Sequence, residues 1–173
     1  MNPIRCDALI FNLDGVLVDS TPCLEHHMRR WAAEHGLDAT AVLSLAHGRR
    51  TAETIRLVAP HLDAEVEAAA IEAAEAADTE GVVEMRGARA LLAALPPTAW
   101  AIATSNSRRR AIMRLHRTGL PIPRILISAE SVQQGKPHPE AYLSTAEQLA
   151  HLYVVALPAQ AEARLRVHLK AHV

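Results

Sequence analysis

The apolar run Ala8-Leu9-Ile10-Phe11 breaks into Asn12-Leu13-Asp14-Gly15, and few architectures accommodate such a break. A short continuous apolar run ending in an acidic turn with a glycine reads as a strand buried on both faces of a parallel sheet. Its carboxyl end then delivers polar groups into a crevice, which is where open α/β sheets bind ligands. The chain continues as Val16-Leu17-Val18-Asp19-Ser20, and Ser20-Thr21-Pro22 opens a helix. Thr21 suits its N-cap and Pro22 its first turn, where no backbone donor is needed.

Leu24, Met28, Trp31 and His35 recur at helical spacing until Gly36 stops the helix, and His26 and His27 read as surface residues on it. Helical stretches follow at Thr51 to Val58, ended by Pro60, and at Ala64 to Ala77, where Ala and Glu give high helix propensity. Residues from about 21 to 85 therefore form a small all-helical unit inserted after the first strand. The chain returns near Met85-Arg86-Gly87, and helix Ala88 to Leu95 is terminated by Pro96-Pro97. Trp100 to Thr104 reads as a second buried strand ending at Ser105-Asn106-Ser107. Helix Arg108 to Thr118 follows, its N-terminus aiming partial positive charge at that turn. Arg108, Arg109, Arg110, Arg114 and Arg117 read as a solvated or ion-paired face, since no aromatic residues interleave with them for stacking on nucleic acid. Arg124 to Ser128 is a third strand and Glu140 to Leu149 a further helix.

A chain of 173 residues, half of them hydrophobic, buries one real core with room for a small appended unit. Its net charge of −1 gives no electrostatic footprint for nucleic acid or an anionic membrane, so small molecules are the expected ligands. No charged-then-apolar leader stands at Met1 to Cys6, and no apolar run approaches the roughly 20 residues of a membrane span. A cytosolic location is expected. Cys6 and Cys23 match no metal spacing and read as free, buried or partly buried thiols.

The segment from Phe11 to Ser20 resembles the first signature of the haloacid dehalogenase-like (HAD) hydrolases, Asp-x-Asp-Gly followed by apolar residues and Asp-Ser. Thr104, with Ser105 one register away, resembles the second signature, whose hydroxyl and following amides, here Ser105 and Asn106, hold phosphate. Gly135-Lys136-Pro137-His138-Pro139 resembles the third, whose lysine balances the charge of the transferring phosphate. The resemblance implies a Rossmann-like parallel α/β sheet, residues 1–20 and 86–173, with a helical cap at 21–85 as in phosphoglycolate phosphatase, β-phosphoglucomutase and sugar phosphatases. Within that cap, His47-Gly48-Arg49-Arg50-Thr51 resembles a substrate loop of sugar- and polyol-phosphate phosphatases, in which His47, Arg49 and Arg50 could reach a phosphate or leaving group, or form a solvated basic turn.

Two departures from the pattern bear on chemistry. Asn12 stands where the family has its nucleophilic Asp, while Asp14 keeps the acid/base position and a weak claim to a metal. An amide is neutral and neither attacks phosphorus nor binds magnesium as a carboxylate does. The fourth signature, an apolar strand ending in an acidic pair, falls on His151 to Gln160. Either Val155 and Ala156 replace the acids, or the metal-binding strand is deleted and the core truncated near its C-terminus; the brevity of the chain beyond Lys136 slightly favours deletion, with Ala161 to His172 as a last amphipathic helix. His168 and His172 lie four apart there, an incidental spacing without a third ligand. The family's magnesium is expected to bind weakly or not at all. The leading expectation is a catalytically impaired homologue that binds a phosphate ester or inorganic phosphate. The alternatives are an active magnesium-dependent phosphomonoesterase, or an interaction module whose exposed sheet edge a second copy covers as a homodimer.

Overall fold

The computed structural model describes residues 6–78, 80–150, 153–157 and 166–168. Strand β1 (Ala8–Phe11) is flanked in parallel by β4 (Trp100–Ala103) and β6 (Tyr153–Leu157); β5 (Leu126–Ile127) extends the sheet beyond β4 and β7 (Arg166–His168) beyond β6, giving the order β5-β4-β1-β6-β7. Strand alternation sorts the side chains. Phe11, Leu13, Trp100 and Ile102 pack on one face with Leu92 and Leu115, while Ala8, Ile10, Ala101 and Ala103 meet Tyr142, Ala146 and Leu149 on the other. Helices α5 (Ala88–Ala94) and α6 (Arg108–Thr118) cover the first face and α7 (Glu140–Leu149) the second. Phe11, Leu13 and Ile10 are sealed from water, each contributing about 1.5–3 kcal/mol of apolar burial.

Helices α1 (Thr21–Glu34), α2 (Ala39–Ala46), α3 (Thr51–Val58) and α4 (Ala64–Ala77) carry their own apolar cluster of Met28, Trp31, Val42, Ile55, Ala68 and Ile71. The chain enters and leaves them through a two-stranded antiparallel pair, β2 (Val18–Asp19) with β3 (Val83–Glu84), in which Asp19 faces Val83. Gly81 beside this joint has φ +80, and a side chain there would press on Pro22. Helix α2 is absent from the sequence reading; its signal is Asp38, whose carboxylate accepts the Thr40 amide at 2.9 Å.

The structure corrects several sequence expectations. The N-cap of α1 is Ser20 rather than Thr21, and its hydroxyl turns to Asp14 instead of capping. His27 is buried, 4.0 Å from Asp78, because the face of α1 bearing Met28 and Trp31 packs inward. Tyr153–Leu157, the run on which the fourth signature falls, pairs in parallel with β1, Phe11 opposite Leu157, with Ala156 fully buried. The expected final helix is, over Arg166–His168, a strand antiparallel to β6, whose open edge offers backbone partners that a helix would leave unpaired; the remainder of that stretch, His172 included, lies outside the described residues.

Candidate functional site

The loops leaving β1, β4 and β5 gather at one end of the sheet, and the helical unit sits over them. They bound a cavity of about 320 Å³, lined from the sheet side by Asn12, Asp14, Ser105 and Asn106 and from above by Leu24, Met28, His47, Arg49 and Thr51. Arg110 and Arg114 of α6 complete the wall, and Asp14 is the one carboxylate lining it among the described residues.

Asn12 is buried and its amide is fixed in orientation. Nδ2 donates to the Asp14 carbonyl at 2.8 Å, and Oδ1 accepts from Lys136 Nζ at 2.8 Å. Lys136 also donates to the Ala103 carbonyl at 2.8 Å and lies 4.8 Å from the Tyr142 ring centre. Burial pushes its ammonium down to about 8, against a smaller opposing pull from the Asp14 carboxylate. Lys136 thus stands behind Asn12 rather than on the cavity surface.

Asp14 is partly exposed and both its oxygens are engaged. Oδ1 accepts from Ser20 at 2.7 Å and from Arg114, and Oδ2 from Asn106 Nδ2 at 2.6 Å. Burial acts to raise its carboxyl, but Arg114, Ser20, Arg110 and Asn106 together outweigh that and hold it below the ordinary carboxylate range. A carboxyl kept ionised and saturated by donors is poorly set to hand a proton to a leaving group. The oxygens that would face a cation are each engaged by a donor: Asn12 Oδ1 accepts from an ammonium, the Asp14 carbonyl from an amide, and the Asp14 carboxylate from a guanidinium. No cluster of three metal-ligating side chains exists among the described residues.

Thr104 is buried and its hydroxyl accepts the Asn106 amide at 3.2 Å, shaping the turn rather than facing the cavity, whereas Ser105 and Asn106 line it. Ser105 reaches up to the Gly48 carbonyl at 2.8 Å. Of the loop residues, His47 and Arg49 line the cavity and Arg50 does not. Its guanidinium donates to the carbonyls of Val132 at 2.8 Å, Ala129 at 2.9 Å and Gln133 at 3.3 Å, clamping the helical unit to the loop that leads into Lys136. A side chain at Gly135 in that loop would meet the Glu53 carboxylate of α3 and displace it. Replacing Arg50 with alanine strips donors from three carbonyls and is expected to cost about 1–3 kcal/mol, read as a lowered urea midpoint at unchanged slope.

Sequence reasoning missed the buried charges beside the cavity. Arg114 and Arg110 are 2% and 7% exposed, and both reach Glu75 of α4, itself 1% exposed. Their spacing of four, one helical turn, was the available signal; the run of arginines around them concealed it.

A family model described as haloacid dehalogenase-like hydrolase matches residues 9–153. Hexitol phosphatase A of Escherichia coli is 40% identical over 84% of this chain and 70% of its own length. Glycerol-1-phosphate phosphohydrolase 2 of Saccharomyces cerevisiae is 33% identical over 81% of this chain, which spans 58% of that protein. Among solved structures, CbbY from Rhodobacter sphaeroides in complex with phosphate superimposes with a TM-score of 0.69 at 20% identity, over 88% of this chain and 77% of that one.

Proposed function

The chain belongs to the haloacid dehalogenase-like hydrolases, and from that premise we propose that it binds a small phosphate ester in a pocket no longer equipped to cleave it. The observation that carries this reading is the fixed amide of Asn12. Its oxygen is turned onto Lys136 and its nitrogen onto the Asp14 carbonyl, so the position from which relatives attack phosphorus presents a neutral group held by two hydrogen bonds. Arg49, Arg110 and Arg114 line the cavity with Lys136 behind, against Asp14 in the lining and Glu75 and Glu72 behind the arginines, and the remaining excess of positive charge suits an anion without a metal ion. The helical unit, residues 21–85, acts as the cap, with His47 and Arg49 facing the ligand and Arg50 holding the cap to the core. Similarity to hexitol and glycerol-1-phosphate phosphatases favours a sugar or polyol phosphate as the ester.

The test is calorimetric titration with inorganic phosphate and a panel of polyol phosphates, with and without magnesium, beside a turnover assay. Metal-independent binding without hydrolysis is expected. The Asn12→Asp variant is expected to remain inactive and to bind phosphate more weakly, because it adds a carboxylate beside Asp14 without supplying further metal ligands. Magnesium-dependent hydrolysis by either protein would establish the rival reading, an active phosphomonoesterase, which the 40% identity to hexitol phosphatase A favours.

A further inference from the structure

Glu75 does not line the cavity, yet every charged group that does so from α6 is anchored to it. It lies on α4, in the helical unit, while Arg110, Arg114 and Asp14 belong to the sheet side. Arg114 spans the junction. Its Nη1 reaches Asp14 Oδ1 and, at 3.4 Å, Asn106 Oδ1, and its Nη2 reaches Glu75 Oε2 at 3.3 Å. Arg110 converges on the same Glu75 oxygen and extends Nη1 to Thr51 at 3.3 Å and toward Glu72 at 3.9 Å. An arginine fork shared between two carboxylates is fixed in plane and direction, whereas one held by Asp14 alone would be free to swing into the cavity.

We propose that Glu75 is a positioning residue for the anion pocket: through Arg114 and Arg110 it sets the placement of Asp14, Asn106 and the cavity wall, so that binding in the core requires the helical unit to be seated. The inference rests on the phosphate-binding reading above, and the two are separable by experiment. A purely electrostatic role is the competing possibility, and it has the opposite sign, since a buried negative charge near the pocket repels an anion and its removal would tighten binding.

The experiment compares Glu75→Gln, which keeps an acceptor oxygen and removes the charge, with Glu75→Leu, which removes both. Metal-free inorganic phosphate is titrated into each, with folding checked by circular dichroism. In parallel, the alkylation rate of Cys23 is measured in a Cys6→Ser background, because Cys23 is buried where α1 meets the sheet-side core and reports whether the helical unit stays seated. Positioning predicts that Glu75→Gln binds phosphate as tightly as the parent or a few-fold tighter, while Glu75→Leu binds at least about tenfold more weakly and exposes Cys23 to faster alkylation. Tighter binding by both variants, or a folded Glu75→Leu protein with parental phosphate affinity and protected Cys23, would overturn the proposal. If Glu75→Leu does not fold, Glu75→Met/Arg110→Met removes the anchor with no net change in charge; because Arg110 itself lines the cavity, Cys23 is then the readout, faster alkylation being expected and a protected Cys23 overturning the proposal. If the parent itself binds no phosphate, the phosphate-binding reading fails, and Cys23 alkylation alone then decides whether Glu75 seats the unit.

Discussion

Replacing Arg114 with methionine is expected to lower the stability of the fold by about 3–5 kcal/mol, the range for removing one partner of a buried ion pair. The residue is 2% exposed, and its loss leaves the Asp14 carboxylate without its guanidinium and Glu75, at 1% exposure, with Arg110 and no second close cation. Surface pairs on α1 make the contrast. Arg29 with Glu25 at 3.4 Å and Arg30 with Glu34 at 2.9 Å are solvated, and deleting either arginine should change stability by no more than about 1 kcal/mol. Chemical denaturation of the variants against the parent measures both. The pH dependence identifies the mechanism. Asp14 has a depressed carboxyl in the folded protein, so its contribution is present above the unfolded carboxylate range and is lost as pH falls through the lowered folded value. The deficit of Arg114→Met should therefore narrow in acid.

The second large effect is at Lys136. Lys136→Met should weaken metal-free phosphate binding by about tenfold to a hundredfold, since it removes a half-buried charge behind the pocket and releases the Asn12 amide from its set orientation. For the parent, the ammonium titrates near 8, so phosphate affinity should decline above that pH, while the methionine variant shows no such step. Stability moves the other way. A lysine whose folded value is depressed penalises the native state while charged, and between about 8 and the ordinary lysine value the unfolded chain binds more protons, so the parent should gain stability as pH rises through that window. Binding that falls while stability rises over one pH interval is the signature of a desolvated lysine. If stability is flat from pH 8 to 10, the ammonium is better solvated than its surroundings indicate.

Much of the framework was legible from local pattern. The short continuous apolar runs at Ala8 and Trp100 marked the two central strands, and the helical stretches read at Thr51 to Val58, Ala64 to Ala77, Arg108 to Thr118 and Glu140 to Leu149 coincide with α3, α4, α6 and α7. The three signature segments meet at one end of the sheet because each directly follows a strand or leads out of the loop after one. What local pattern could not show was which polar groups turn inward. Arg110 and Arg114 sit among exposed arginines of the same helix, and they are buried against Glu75, distant in sequence and one of several glutamates in a helix whose composition speaks only to its propensity. Arg50 likewise looked like a ligand-facing group beside Arg49, and only the approach of the loop at Ala129 to Gln133 turns it aside. Thr21 read as the cap of α1, whereas Ser20 holds that position and its hydroxyl is drawn to the Asp14 carboxylate, a contact six residues away that the local pattern does not show.

The β2–β3 ribbon has a consequence for how such a chain can vary. Because Asp19 and Val83 stand opposite each other, the entry and exit of the whole helical unit lie roughly 5 Å apart, the spacing of paired strands. Everything between them is a graft on a single stem, so its length and composition can be exchanged without altering the pairing of the sheet beneath. Exchange is constrained at the few places where graft and stock are joined by charge, and an incoming segment lacking a counterpart of Glu75 would inherit a buried Arg110 with no close acid and an Arg114 held by Asp14 alone.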